Sequence, residues 1–177
     1  MHRLCSLAAL LLALGLLGPT TADAQTNVQL GPRLGIPVGD VSDAGGDLFL
    51  GADARIETQA LPVVINPSFD FYFMDDLRAG GRSIGQSLFT IDVNALYEFG
   101  VDNQAFTPYA GGGLGITRYS IDADFRNSNT SDTDLGLNIV GGARFPLGSV
   151  QPFAQLNAAF GGDWDRLGIT GGVLFQL

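Results

Sequence analysis

Residues 87–99 read Ser-Leu-Phe-Thr-Ile-Asp-Val-Asn-Ala-Leu-Tyr-Glu-Phe, and the alternation in this stretch decides the fold. Phe89, Ile91, Val93, Ala95, Tyr97 and Phe99 fall on one face, and Thr90, Asp92, Asn94 and Glu98 on the other. Leu96 is an apolar exception on the second face. A period of two over such a length is that of a β-strand, because a helix would repeat its apolar face every 3.6 residues.

The same pattern extends in both directions. Downstream, residues 105–119 set Ala110, Gly112, Leu114 and Ile116 against Tyr109, Gly111, Gly113, Gly115 and Thr117. Residues 134–145 set Leu135, Leu137, Ile139, Ala143 and Phe145 against Asp134, Asn138 and Arg144. Residues 150–160 set Val150, Ala154, Leu156, Ala158 and Phe160 against Gln151, Gln155 and Asn157. Residues 166–177 end with Leu167, Ile169, Val173, Phe175 and Leu177 against Thr170 and Gln176. Upstream, three less regular segments cover 28–38, 47–57 and 63–74, the last interrupted by Pro62 and Pro67. A proline is tolerated at a strand's first residue or a bulge, and less so within a ladder. No amphipathic helix stands out between them.

Eight such segments of roughly ten to fifteen residues are long for soluble strands, which average about five or six. A tilted strand needs about nine to eleven residues to cross a bilayer, and an even number of strands leaves no open edge in lipid. The expected fold is therefore all-β: an eight-stranded antiparallel up-and-down transmembrane β-barrel. If the first strand leaves the periplasm, the outer connections are 39–46, 75–86, 120–131 and 161–165, and the inner ones 58–62, 100–104 and 146–149. The outer set tends to be longer and carries Asp40, Asp43, Asp75, Asp76, Asp122, Asp124, Asp163 and Asp165. Tyr97, Phe99, Phe106, Tyr109, Phe145, Phe160 and Phe175 fall near strand ends, where an aromatic girdle meets headgroups.

Residues 1–24 differ in kind. His2 and Arg3 precede an apolar stretch over residues 7–17, and Ala22-Asp23-Ala24 follows Gly18-Pro19. This reads as a cleaved secretory signal peptide, leaving residues 25–177 as the barrel domain. The apolar stretch falls short of the roughly 20 residues of a membrane-spanning helix. Cys5 lies ahead of it, where a lipid-acceptor cysteine would not. Cleavage removes the only Cys and the only His, so the mature chain has neither thiol nor imidazole.

Composition excludes several functions. The 177 residues are 46% hydrophobic and only 15% charged, with 25 glycines and a net charge of -9. Every basic residue is an Arg, and acids outnumber bases 18 to 9, which makes nucleic acid a poor partner. The glycine run 111–115 sits inside continuous alternation, not at a turn opening a helix, so a phosphate-binding loop has no support. A serine nucleophile would lack a histidine base, and zinc would lack Cys or His ligands. Asp122, Asp124, Asp132 and Asp134 are oxygen donors, but their spacing is not that of an EF-hand loop. The expectation is a protein that is not an enzyme, with no cofactor and no metal.

The polar faces bring together Arg33, Asp53, Arg55, Glu57, Asp70, Asp92, Glu98 and Arg144. Pointing into a narrow barrel, these groups must pair, since an unpaired buried charge is costly. The bland outcome is a structural plug, and the functional alternative is a polar or proton-conducting path. Gly111, Gly113, Gly115, Gly136 and Gly142 on the same face make room for Arg and Tyr side chains or let the strands coil. Period two alone does not distinguish this barrel from a soluble one with an apolar interior.

The sequence resembles the superfamily of small eight-stranded bacterial outer-membrane barrels that includes the OmpX, OmpW and OmpA barrel types. The signal segment carries the resemblance, with the run from Phe106 to Thr117, the returning strand from Leu135 to Phe145 and the ending from Gly171 to Leu177. The resemblance implies location in the cell outer membrane, with lipids and lipopolysaccharide as neighbours. It also implies delivery by periplasmic chaperones to the barrel-assembly machinery, which reads a terminal alternating strand, here Val173, Phe175 and Leu177. Family members usually end in an aromatic residue, which Leu177 replaces. A monomeric protein with a structural or envelope-interaction role is expected first. The alternatives are a narrow conduit for small or hydrophobic solutes, and a soluble periplasmic ligand-binding barrel.

Overall fold

The computed structural model describes residues 26–79, 82–101, 105–123, 128–161 and 165–177. The expected signal segment lies outside these, as do Asp124 and Asp163. The strands are β1 (Thr26–Val38), β2 (Gly46–Thr58), β3 (Val64–Met74), β4 (Leu77–Ala79), β5 (Arg82–Glu98), β6 (Thr107–Ala123), β7 (Ser128–Arg144), β8 (Val150–Phe160) and β9 (Arg166–Gln176), with a one-turn helix α1 (Asp40–Asp43) after β1. All pairings are antiparallel. The order β3-β2-β1-β9-β8-β7-β6-β5 closes into a ring through β3–β5, giving the eight-stranded up-and-down barrel. The short β4 pairs only with β5, outside the ring. Thr26 and Leu177, the first and last described residues, lie at one end, where the Leu177 N–H donates to the Val28 carbonyl at 3.0 Å. The connections bearing α1 and β4 lie at the other, called here the loop end.

The expected facing is observed. Leu30, Leu34, Ile36, Leu50, Phe69, Phe71, Phe73, Ile91, Val93, Leu114, Ile116, Leu137, Ile139, Leu156 and Ile169 are exposed on the outer wall. Gln29, Arg33, Asp53, Arg55, Asp70 and Asp92 are buried within. This inverts a soluble barrel and suits a wall against hydrocarbon, where every ladder bond is internal and no edge is open. Outward aromatics pair along the wall, with Tyr97 and Phe99 edge-on at 5.2 Å and Phe71 and Phe73 at 5.5 Å.

Several expectations need correction. Tyr109 is not in the girdle: it faces inward and is 2% exposed. Leu96, the apolar exception, is fully buried with Val64, Tyr109 and Val140 in an interior apolar layer. The span 120–131 is mostly strand, because β6 and β7 pair out to Ala123↔Ser128. The span 75–86 likewise holds β4 and the start of β5.

Pro67 sits within the ladder, opposite Val93 of β5. The β2–β3 pairing is interrupted between Asp53↔Ser68 and Ile56↔Ile65, since proline brings no N–H. Asn66 Nδ2 donates to the Ala54 carbonyl there instead, at 2.8 Å.

The β1–β2 connection folds over the barrel mouth. Gly39 (φ 79°) and Gly45 (φ 91°) bracket α1 in left-handed conformations that a side chain would strain. The turn drives Val41 into the mouth against Phe49, Tyr72 and Leu88. A bulge at Gly46/Leu48 resets β2 so that Phe49 points in.

Candidate functional site

The site is the barrel interior, built by inward-facing positions of nearly every wall strand. Arg33 on β1 is its hub. Its Nε donates to Asp70 Oδ1 at 2.6 Å, its Nη2 to Asp70 Oδ2, and its Nη1 to Asp53 Oδ2 at 3.1 Å. One guanidinium thus bridges carboxylates on β2 and β3 in the forked geometry that suits arginine. Asp53 Oδ1 also accepts from Asn66 Nδ2 at 2.9 Å and stands 3.6 Å from Arg55 Nε.

Arg55 leads from this hub into the apolar layer. Its Nη2 donates to Tyr109 Oη at 2.8 Å, and the Tyr109 hydroxyl donates in turn to Gln155 Oε1 at 3.0 Å. The guanidinium carbon lies 4.3 Å from the Tyr109 ring centroid and 5.0 Å from that of Phe153. Two aromatic faces therefore shelter a cation that is fully buried.

A second centre joins β9 to β5. Arg166 Nη2 donates to Asp92 Oδ1 at 2.9 Å, with Nη1 reaching Oδ2 at 3.5 Å. At the terminus end a third centre joins β7 to β2 and β5: Arg144 Nη1 donates to Glu57 Oε1 at 3.1 Å and Nη2 to Glu98 Oε2 at 2.7 Å. Since β7, β2 and β5 are not neighbours in the ring, these side chains meet across the lumen.

Of the eight residues expected in the interior, Arg33, Asp53, Arg55, Asp70 and Asp92 are buried, and Glu57, Glu98 and Arg144 are part-buried at the terminus end. Arg33, Asp53, Arg55 and Asp70 form one group, Arg144, Glu57 and Glu98 another, and Asp92 pairs with a residue that sequence reasoning missed. Arg166 had two signals. It shares the parity of inward-facing Thr170, and three arginines against five carboxylates implied a further cation.

Small residues make the crowding possible. A side chain at Gly115 would collide with Asp92 Oδ1 and come within 2.9 Å of Arg166 Nη2. One at Gly142 would come within 2.7 Å of Tyr109 Oη. Among Arg33, Asp92, Asn138, Gln155 and Arg166 lies a cavity of about 10 Å³, enough for about one water. Among the described residues, no cluster of three or more His, Cys, Asp or Glu is arranged to hold a metal ion.

The C-terminal residues Val173, Phe175 and Leu177 keep the parity expected of them. Phe175 and Leu177 are exposed, at the terminus end of β9.

Comparison with known proteins agrees with this architecture. The family model of the outer membrane protein beta-barrel domain matches residues 6–173. The N-terminal β-barrel domain of Pseudomonas aeruginosa OprF is 16% identical (TM-score 0.59), and Neisserial surface protein A is 18% identical (TM-score 0.59). Ail, the attachment invasion locus protein of Yersinia pestis, is 14% identical (TM-score 0.59). In each case the match covers 88% of this chain and 100% of the other. At these identities the likeness to the solved structures is one of fold. No curated protein matches the sequence. The family match, the closed ring and the apolar outer wall together make the chain a member of the outer membrane protein beta-barrel domain family, located in the bacterial outer membrane.

Proposed function

We propose that this protein is a sealed, non-enzymatic barrel that serves the cell envelope through structure and through contacts at its loop end, not by passing solutes. The observation that carries the reading is the filled lumen. Arg33, held by Asp53 and Asp70, and Arg166, held by Asp92, line a lumen cavity of about 10 Å³. The Val41, Phe49, Tyr72 and Leu88 cluster adds an apolar seal at the loop end. Small eight-stranded barrels have lumens that side chains can fill. The sequence beyond residue 24 also offers no His or Cys for hydrolytic or zinc chemistry.

In this reading the loop end faces the cell exterior and the termini face the periplasm, as in barrels whose longer connections are extracellular. Lipids and lipopolysaccharide surround the apolar wall of a monomer. Val173, Phe175 and Leu177 are the strand that the assembly machinery reads after periplasmic chaperones deliver the chain. Ail, similar in fold, is named for attachment and has been solved with the heparin analogue sucrose octasulfate. Surface contact suits the present chain, but a polyanion does not, because Asp40, Asp43, Asp47, Asp75, Asp76 and Asp132 are exposed at its loop end.

The test is single-channel recording of the protein in planar bilayers. Silence is expected at every holding potential. Reproducible conductance steps would overturn the sealed reading in favour of a conduit.

A further inference from the structure

The outer wall is not evenly clad. On β1, β3 and β5 most outward positions carry large apolar side chains, among them Leu30, Leu34, Phe69, Phe71, Ile91 and Val93, all exposed. On β2 the outward series runs Leu50, Ala52, Ala54, Ile56, so two methyl groups stand among isobutyl and phenyl groups. Ala54 lies opposite Leu30, and Ala52 opposite Phe69, which in turn faces Ile91. The result is a recess of about 310 Å³ bedded on Ala52, Ala54 and Pro67 and flanked by Leu30, Phe69 and Ile91. Pockets that hold small ligands begin at about 300 Å³.

The chemistry of the recess selects its occupant. It presents apolar surface only. The β2–β3 ladder is interrupted beneath it at Pro67, but the Ala54 carbonyl there accepts from Asn66 Nδ2 at 2.8 Å and is satisfied from inside. An empty recess forfeits the dispersion contacts of its lining, so what surrounds the wall must enter. A second copy meeting it across a two-fold axis would set recess against recess and enlarge the void. An alkyl chain fills it, and because lipid is as apolar as the lining, the gain is in packing and not in expelled water.

Depth selects the source. Ala54 lies four residues from the end of β2 at Thr58 and eight from its start at Gly46. Leu30 pairs with Phe175, two residues before Leu177, whereas Phe69 is midway along β3 between Val64 and Met74. The recess therefore runs from mid-wall towards the terminus end.

We propose that this recess is a binding site for one acyl chain of a glycerophospholipid in the leaflet around the termini. Its methyl end lies at Phe69 and Ile91, and the part nearer its carbonyl at Leu30 and Ala54. The choice of leaflet rests on the loop end facing the cell exterior, which sets phospholipid, not lipopolysaccharide, around the termini. The chain lies over the interrupted β2–β3 seam and braces it.

The test uses the protein purified from outer membranes into phosphatidylcholine nanodiscs. These contain phosphatidylethanolamine with a diazirine at either the methyl end or the carbonyl end of one acyl chain, and peptide mass spectrometry locates the adducts after photolysis. The methyl-end probe is expected to label Phe69 and Ile91, and the carbonyl-end probe Leu30 and Ala54. Each should exceed the labelling of Leu137 and Ile139 on β7, diametrically opposite β2 in the ring. Ala52→Leu with Ala54→Leu, which fills the recess, should bring the labelling of Leu30 and Ile91 down to the level of Ile139 with folded yield unchanged. If the filled variant does not fold, the order of labelling along the parent's wall decides the question. Labelling that is even around the wall, an order reversed in depth, or dimers that the filled variant loses would overturn the proposal. Even labelling with silent bilayers would remove this inference alone, whereas ordered labelling with channel steps would remove the sealed reading alone.

Discussion

Arg166 Nη2 stands 2.9 Å from Asp92 Oδ1 and joins β9 to β5, strands that lie four places apart in the ring by either route. The pair therefore spans the barrel's full width, as Arg144–Glu57 does between β7 and β2.

Arg166→Ala leaves Asp92 buried without a cation, beside a lumen that already holds Asp53 and Asp70. Removing one partner of a buried pair costs about 3–5 kcal/mol, whereas replacing both with apolar groups is often close to neutral. The single variant should lower the urea unfolding midpoint of the folded barrel in detergent, read from its heat-shifted band on gels. The double variant Arg166→Met with Asp92→Leu should recover most of the loss. A single variant as stable as the parent would show that the pair braces nothing.

The barrel was legible because each wall strand repeats its apolar positions every second residue, as Phe89 to Phe99 do. The eight interior charges followed from the same parity. What escaped notice was position relative to other strands. Arg166 opens its segment, where a charged residue looks like a strand end, although its parity and the charge imbalance both point inward. Tyr109 near a strand end looks like a girdle residue, although the alternation sets it on the face of Gly111 and Gly113, and its meeting with Arg55 from β2 decides between the two. The run Ser-Ile-Asp over 120–122 looks like a loop, because it is too short and too polar to show an apolar face of its own. Its pairing with β7 is a property of two segments together. Val41 in α1 carried no signal, since one valine among aspartates and glycines does not announce a plug.

Glycine substitutions should separate space on the two faces. An added Cβ at Gly115 lies 2.9 Å from Arg166 Nη2 and 3.0 Å from Asn138 Nδ2, so side chains must shift. Gly115→Ala should cost about 1–3 kcal/mol by overpacking. Gly113→Ala should cost more, because its Cβ meets the Val93 carbonyl and lies 2.7 Å from the Asn94 Cα, both backbone. At Gly141 nothing lies within 4 Å. Gly141→Ala should therefore be neutral or stabilising by about 0.4–1 kcal/mol. Parallel urea titrations of the three variants would check the ranking, and a Gly141 variant as damaged as the Gly113 one would contradict it.

Tyr109 allows the hydrogen bond and the ring to be weighed apart. Its hydroxyl accepts from Arg55 and donates to Gln155, while its ring lies 4.3 Å beneath the Arg55 guanidinium. Tyr109→Phe keeps the ring and leaves a buried donor and a buried acceptor without partners, a loss of about 1–3 kcal/mol. Tyr109→Ala also empties the space packed against Val64, Leu96 and Val140, and should cost about 3–5 kcal/mol. Adding Arg55→Met to Tyr109→Phe removes the stranded donor, so the combined variant should be more stable than the sum of the two single losses predicts. Strict additivity in urea unfolding would mean that Arg55 is held by Asp53 and Phe153 alone, and that the Tyr109 hydroxyl contributes to the interior only through Gln155.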